Sequence, residues 1–214
     1  MNQLIIHGRK TSSNVQTVMW AVGELGLEFE RLDVGGAFGG TDTAEYLAMN
    51  PMGLVPTLQD GEVTLFESCA IVRYLGARYG DNAFWPTDPA ERAELDQWAE
   101  WAKGTLARNI TYEIFWSLIR TKKADRDMDA LAAGLKTAAR LTTMLDGRLD
   151  NGPYLAGENL TFADIIIAHV LFRYYTLEIE RAETPNLDAY YQRLCERPAF
   201  AEHVMVDYSS LKVE

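Results

Sequence analysis

The chain has 214 residues, 48% of them hydrophobic, and a net charge of -11 from 20 basic and 31 acidic side chains, a size and composition suited to one large globular domain or two small ones. The acidic excess lies in both halves and leaves no basic footprint, which argues against nucleic acid and anionic membrane surfaces as partners. No run approaches the ~20 apolar residues of a membrane span, and MNQLIIHG lacks a signal peptide's basic start and long apolar core, so a cytoplasmic chain with no membrane partner is expected.

QLIIHG reads as a short buried strand, and Val15, Val18, Met19, Val22 and Leu25 then recur at helical spacing before Gly26 at a C′ position. LEFERLDV reads as a second strand and is followed by a long glycine-rich segment. In LVPTLQDGEVTLFE two apolar runs flank Asp60-Gly61, a hairpin signal. SCAIVRYLGARYG places Ile71, Val72, Leu75 and Tyr79 on one helical face and stops at Gly80. Residues 81 to 89, DNAFWPTDP, read as a linker. Beyond them all is helix: a long run from PAERAEL to WSLI, then DMDALAAGLKTAARLTTMLDGRL, and further helices over 161 to 176 and 186 to 196. In NLTFADIII, Thr161 and Asp164 have capping-box spacing and Leu160 with Ile165 that of a hydrophobic staple, a folding device rather than a catalytic one. Cys69 and Cys195 lie far apart and form no CxxC, so neither a metal site nor a dithiol motif is read.

Between the first strand and first helix stand Ser12, Ser13 and Asn14, all good N-cap residues. The three histidines have no triad context and no GxSxG occurs, so a nucleophilic serine lacks support.

SSNVQTV after strand one, NPMGLVPTL before the hairpin, Glu67-Ser68 at the strand-to-helix junction and NLTFAD in the helical half together resemble the glutathione S-transferase family over nearly the whole chain. The resemblance implies an α/β plus all-α architecture: a thioredoxin-like glutathione-binding domain over 1–80, a linker over 81–89 and an all-helical domain over 90–214. It implies glutathione as co-substrate, a small hydrophobic electrophile as partner, no metal, and a two-fold homodimer. With no tyrosine before Tyr46 and no cysteine before Cys69, only the family's serine type, theta-, phi- or delta-like, fits.

Ser12 then matches the catalytic serine, with Ser13 or Asn14 left to cap the helix. A thiol with pKa ~8.5 is only slightly ionised at neutral pH, and the thiolate is the nucleophile. One hydroxyl hydrogen bond stabilises an anion by ~1.5 to 3 kcal/mol and a helix N-terminus by ~0.3 to 2, enough together to lower the thiol pKa by roughly 1.5 to 3 units. The resemblance makes Val55-Pro56 cis, so that Val55 offers its backbone to the cysteinyl residue as an added strand would. Glu67 would hold the γ-glutamyl ammonium and Ser68 its carboxylate, at a helix N-terminus. GGAFGGTDTAEYLAMN has no Lys, Arg or His and Leu54 precedes Val55, so the glycine carboxylate falls either to a backbone nest at Gly35, Gly36, Gly39 or Gly40 or to Arg9 and Lys10. Arg9, Lys10, Tyr112, Phe115 and Trp116 are the candidates for the electrophile site. Two other outcomes stay open: a glutathione-dependent dehalogenase, etherase or peroxidase, and a non-catalytic interaction module.

Overall fold

A computed structural model describes residues 3–213. The strand-helix-strand opening forms β1 (Leu4–His7), α1 (Ser13–Glu24) and β2 (Phe29–Leu32), with β1 and β2 parallel and Leu4 opposite Phe29. The apolar alternation of β1 buries Leu4 and Ile6 and leaves Ile5 and His7 half exposed. α1 ends in a Schellman turn: Gly26, at φ +62°, donates its N–H to Gly23 and Leu27 donates to Val22. A residue with a side chain would be strained there.

The glycine-rich segment carries one element that composition concealed, α2 (Ala44–Met49), capped by Thr43 Oγ1 accepting from the Tyr46 N–H at 3.2 Å. β3 (Thr57–Asp60) and β4 (Val63–Phe66) then form the expected hairpin, with Asp60 opposite Val63, so the two turn residues are Gly61 and Glu62, one position later than the Asp60-Gly61 pair. β3 runs antiparallel to β1, giving the strand order β2-β1-β3-β4 of a thioredoxin-like sheet. α3 (Ser68–Tyr79) closes this half, stopping at Gly80.

The rest is helical. α4 (Pro89–Trp101) has Pro89 in its first turn and Asp88 as its cap, and the chain continues in the wider π pattern over Ala102–Leu106 and Asn109–Arg120. α5 (Met128–Arg148) follows, then α6 (Phe162–Ala168), α7 (Leu171–Thr176), α8 (Pro185–Cys195) and α9 (Pro198–His203). The single helix read over 161 to 176 is thus two, broken at His169 and Val170. The capping box forms: Asp164 accepts from the N–H and Oγ1 of Thr161 at 2.8 and 2.9 Å. The same carboxylate accepts from the Leu155 N–H and the Tyr190 hydroxyl, so four donors converge on one fully buried side chain.

α1 is buried from Val15 to Val22 because α3, α6 and α9 all pack against it. Trp20 meets Phe200 edge to face at 4.8 Å, and a β-carbon on Gly23 would stand 2.9 Å from that of Ala199. Arg197 of the loop before α9 holds both oxygens of Glu24, at 2.8 and 2.5 Å. No helix among the described residues is long and apolar enough to cross a membrane.

Candidate active site

The start of α1 opens onto a cleft of about 300 Å³ between the loops that follow β1, β2 and α2 and the π-wound helix 109–120. Its rim includes Ser12, Val55, Tyr112, Phe115 and Trp116. Ser12 is itself the N-cap of α1, so the expectation that Ser13 or Asn14 caps the helix is corrected: both are already helical. The cap is a backbone one, with the Ser12 carbonyl accepting from the Gln16 N–H, and the hydroxyl of Ser12 makes no cap bond. That hydroxyl stands at the positive end of a twelve-residue helix.

Around Val55 the cleft continues into a narrow recess lined by Asn14, Asn50, Pro56, Phe66, Glu67 and Ser68. The Val55-Pro56 bond is cis. Tyr46 and Asn50 direct their side-chain donors onto the Leu54 carbonyl at 2.6 and 2.7 Å, which fixes the loop just before it. No described residue hydrogen-bonds the N–H or C=O of Val55. Glu67, the residue before α3, has φ 69°, a left-handed backbone that a non-glycine residue adopts only at a cost of ~1 to 3 kcal/mol. Strain of this kind concentrates at functional sites, and it sets an exposed Glu67 beside a buried Ser68 at the head of α3.

Lys103, absent from the residues singled out by sequence, holds two of the residues that line this recess. Its ammonium donates to Asn14 Oδ1 at 2.8 Å and to Ser68 Oγ at 3.2 Å, joining the starts of α1 and α3. Behind it His169 is buried, with its Nδ1 donating to the Ile166 carbonyl at 2.7 Å; burial, with the nearby Lys103 charge, pulls its pKa down to about 3. Cys69 is buried as well, and burial pushes its thiol up.

The electrophile-site candidates divide. Arg9, Tyr112, Phe115 and Trp116 line the cleft, with Phe115 also buried in the core. Lys10 does not; it is exposed, on the side of Asp33 and Asp207. In the glycine loop the Gly35 N–H donates to the Gly39 carbonyl and the Gly39 N–H to the Gly36 carbonyl, so these two amides are committed internally. Arg9 lies against Gly36, where a β-carbon would stand 3.0 Å from its Nε. Two arginines that the sequence reading passed over complete the cleft, Arg120 and the buried Arg173. Among the described residues no cluster of His, Cys, Asp and Glu is arranged to hold a metal ion.

Residues 3–77 match the model of the glutathione S-transferase N-terminal domain, and residues 108–198 that of the C-terminal domain. Glutathione S-transferase GstB of Escherichia coli is 39% identical over 208 residues, covering 96% of this chain and all of that protein. A theta class glutathione S-transferase from Xanthomonas axonopodis pv. citri, solved with glutathione bound, superposes with a TM-score of 0.91 at 43% identity, over 97% of this chain and 99% of that one. A glutathione transferase of Bombyx mori aligns with a TM-score of 0.87 at 26% identity, over 99% and 97% of the two chains. With both family domains matched in order and the cleft falling at the cis-proline and the start of α1, the chain belongs to the glutathione S-transferase family.

Proposed function

We propose that the chain is a glutathione transferase of the serine type, in which Ser12 stabilises the thiolate of bound glutathione and the cleft presents it to an electrophile. The observation that carries this reading is the Ser12 hydroxyl, held at the head of α1, facing the cleft and not spent on capping. It donates to the sulfur, the α1 N-terminus adds its field, and the thiol proton passes to solvent. Val55, beside cis-Pro56, offers its N–H and C=O to the cysteinyl residue. Glu67 takes the γ-glutamyl ammonium, and Ser68 takes the carboxylate through its hydroxyl and N–H. The thiolate then attacks a carbon centre over Tyr112, Phe115 and Trp116, and the leaving group departs with its bonding electrons. The glutathione-bound Xanthomonas relative supports glutathione as the co-substrate.

A homodimer is the proposed assembly. It is supported by apolar side chains left exposed around the recess, among them Met52, Leu54 and Phe66, which a monomer has no reason to display together. Light scattering giving twice the 24.1 kDa chain mass tests it, and a monomer at micromolar concentration ends it. Calorimetry with glutathione tests the main reading: saturable binding, with a thiolate absorbance that titrates below the free thiol's range, is expected. Absence of binding at millimolar glutathione removes the enzymatic reading and favours a non-catalytic module.

A further inference from the structure

We propose that the electrophile this cleft accepts carries a carboxylate, with Arg9, Arg120 and Arg173 supplying the counter-charge. The inference rests on the glutathione reading for its chemistry but not for its binding site.

A protein with a net charge of -11 has acidic side chains to spare, yet three guanidinium groups line this one cleft. The ion pairs among the described residues engage Arg31, Arg73, Arg148 and Arg197, and none of the three in the cleft. Burial first, and then repulsion among the three, works against their charges: Arg9 and Arg120 both act against the charge on Arg173, and Arg120 against that on Arg9. Arg173 is the costliest of them. It is 4% exposed, donates through Nη2 to the Thr11 carbonyl at 2.8 Å, and lies over the Phe115 ring at 4.3 Å. A carbonyl and a ring face orient a guanidinium without neutralising it, and a buried charge lacking an ionic partner is among the most expensive things a fold can hold. With no carboxylate paired to it among the described residues, the partner is an anion brought in from outside. The aromatic side chains add its second requirement: Phe115 under Arg173, and Tyr112 and Trp116 paired edge to face at 4.8 Å with Arg120 over Trp116, favour a flat ring.

The position relative to the thiolate fits. Thr11, which Arg173 holds, is the residue before Ser12, and Ser12 lines the same cleft as the three arginines, so a ring anchored there by its carboxylate shares the cleft with the sulfur that Ser12 serves. With an aryl chloride the step is a substitution. The thiolate sulfur bonds to the ring carbon bearing chlorine, the carbon–chlorine bond breaks with its electron pair to give chloride, and the thiol proton has gone to solvent. No oxidant or reductant is required.

The probes are 4-chloro-3-nitrobenzoate and 4-chloro-3-nitrobenzamide, matched in shape and leaving group and different in charge. Calorimetry on the protein without glutathione is expected to give roughly tenfold tighter binding of the benzoate. Arg120→Gln, at an exposed position, is expected to lower that preference severalfold; Arg173→Gln should abolish it and Arg173→Lys restore part. If Arg173→Gln fails to fold, Arg120→Gln carries the comparison. The kcat/KM for conjugation, divided by the uncatalysed rate with glutathione, should show the same preference. Equal binding of the two probes to wild type, or a preference unchanged in Arg120→Gln, overturns the proposal. So does an Arg120→Gln variant that loses glutathione affinity while keeping its benzoate preference, since the arginines would then serve glutathione's own glycine carboxylate. A benzoate preference in a protein that gives no heat with glutathione supports the anion site and ends the transferase reading alone.

Discussion

Lys103 donates to Ser68 Oγ across 3.2 Å, from the π-wound turn after α4 to the first residue of α3. Since the ammonium only donates, the serine oxygen is the acceptor and its hydrogen is left to point elsewhere. A carboxylate arriving at the head of α3 would meet that hydrogen, the helix N–H groups and the Lys103 charge together. Lys103→Met is expected to weaken glutathione binding by ~1.5 to 3 kcal/mol, the worth of one charge-assisted hydrogen bond. Calorimetry at two salt concentrations checks it, and an unchanged affinity would detach Lys103 from the binding site.

Ser12 and Ser13 should separate cleanly. Ser12→Ala is expected to raise the bound thiol's pKa by roughly 1 to 2 units, the loss of one hydroxyl donor to an anion. Because the Ser12 side chain makes no cap bond, the same variant should melt close to wild type. Ser13→Ala should leave the thiol alone. Ultraviolet titration of each glutathione complex reads the difference, and a raised thiol pKa in Ser13→Ala alone would move the donor by one residue.

His169 makes the fold sensitive to acid. Burial pulls its pKa down from the ordinary 6.5 to about 3, so between those values the unfolded chain binds a proton that the native one does not. Stability therefore falls as pH drops below the ordinary histidine value, by ~1.4 kcal/mol for each further unit. Between about pH 7.5 and about pH 5 this residue alone should remove ~2 kcal/mol, and His169→Gln should lose less over the same interval. Urea titrations of both proteins at the two pH values decide it; parallel losses would refute the assignment.

Asp164 has the opposite character, a buried carboxyl whose burial pushes its pKa up while four donors pull it back. Removing it strands buried donors from three places in the chain, Leu155, Thr161 and Tyr190. Asp164→Ala should cost ~3 to 5 kcal/mol, more than an ordinary cap. Denaturant unfolding checks this, and a loss below ~1 kcal/mol would mean that water or a shifted side chain replaces the carboxylate.

What could be read in advance was what is local. Gly26 ends α1, Pro89 begins α4, and Thr161 with Asp164 begins α6, because each signal lies within one turn of the element it governs. α2 escaped notice although Thr43 announces it, since glycines dominate the surrounding segment. The break at His169 and Val170 carries neither glycine nor proline, and periodicity runs straight across it. The cap of α1 is Ser12 rather than Ser13 or Asn14, a choice the sequence does not make because three consecutive residues are all competent caps. Lys103, Arg120 and Arg173 were invisible for another reason. They lie far from Ser12 in sequence, within helices where lysine and arginine ordinarily face water, and only tertiary folding aims the two arginines at the cleft and Lys103 at Asn14 and Ser68 beside it.

α1 packs against both the first half of the chain and its helical half, and that fixes how this chain can be divided. Trp20 rests on Phe200, Gly23 admits Ala199, and Glu24 is clasped by Arg197, so the outer face of the first helix is completed by α9, with α6 beside it. A fragment ending at α3 would keep every catalytic candidate of the first half and still present an unmatched apolar stripe with a lone carboxylate at its end. Such a piece would be poorly soluble when made alone. Grafting a different helical half onto it would require transplanting α9 and Arg197 with the graft, or redesigning Trp20, Gly23 and Glu24 to meet the newcomer.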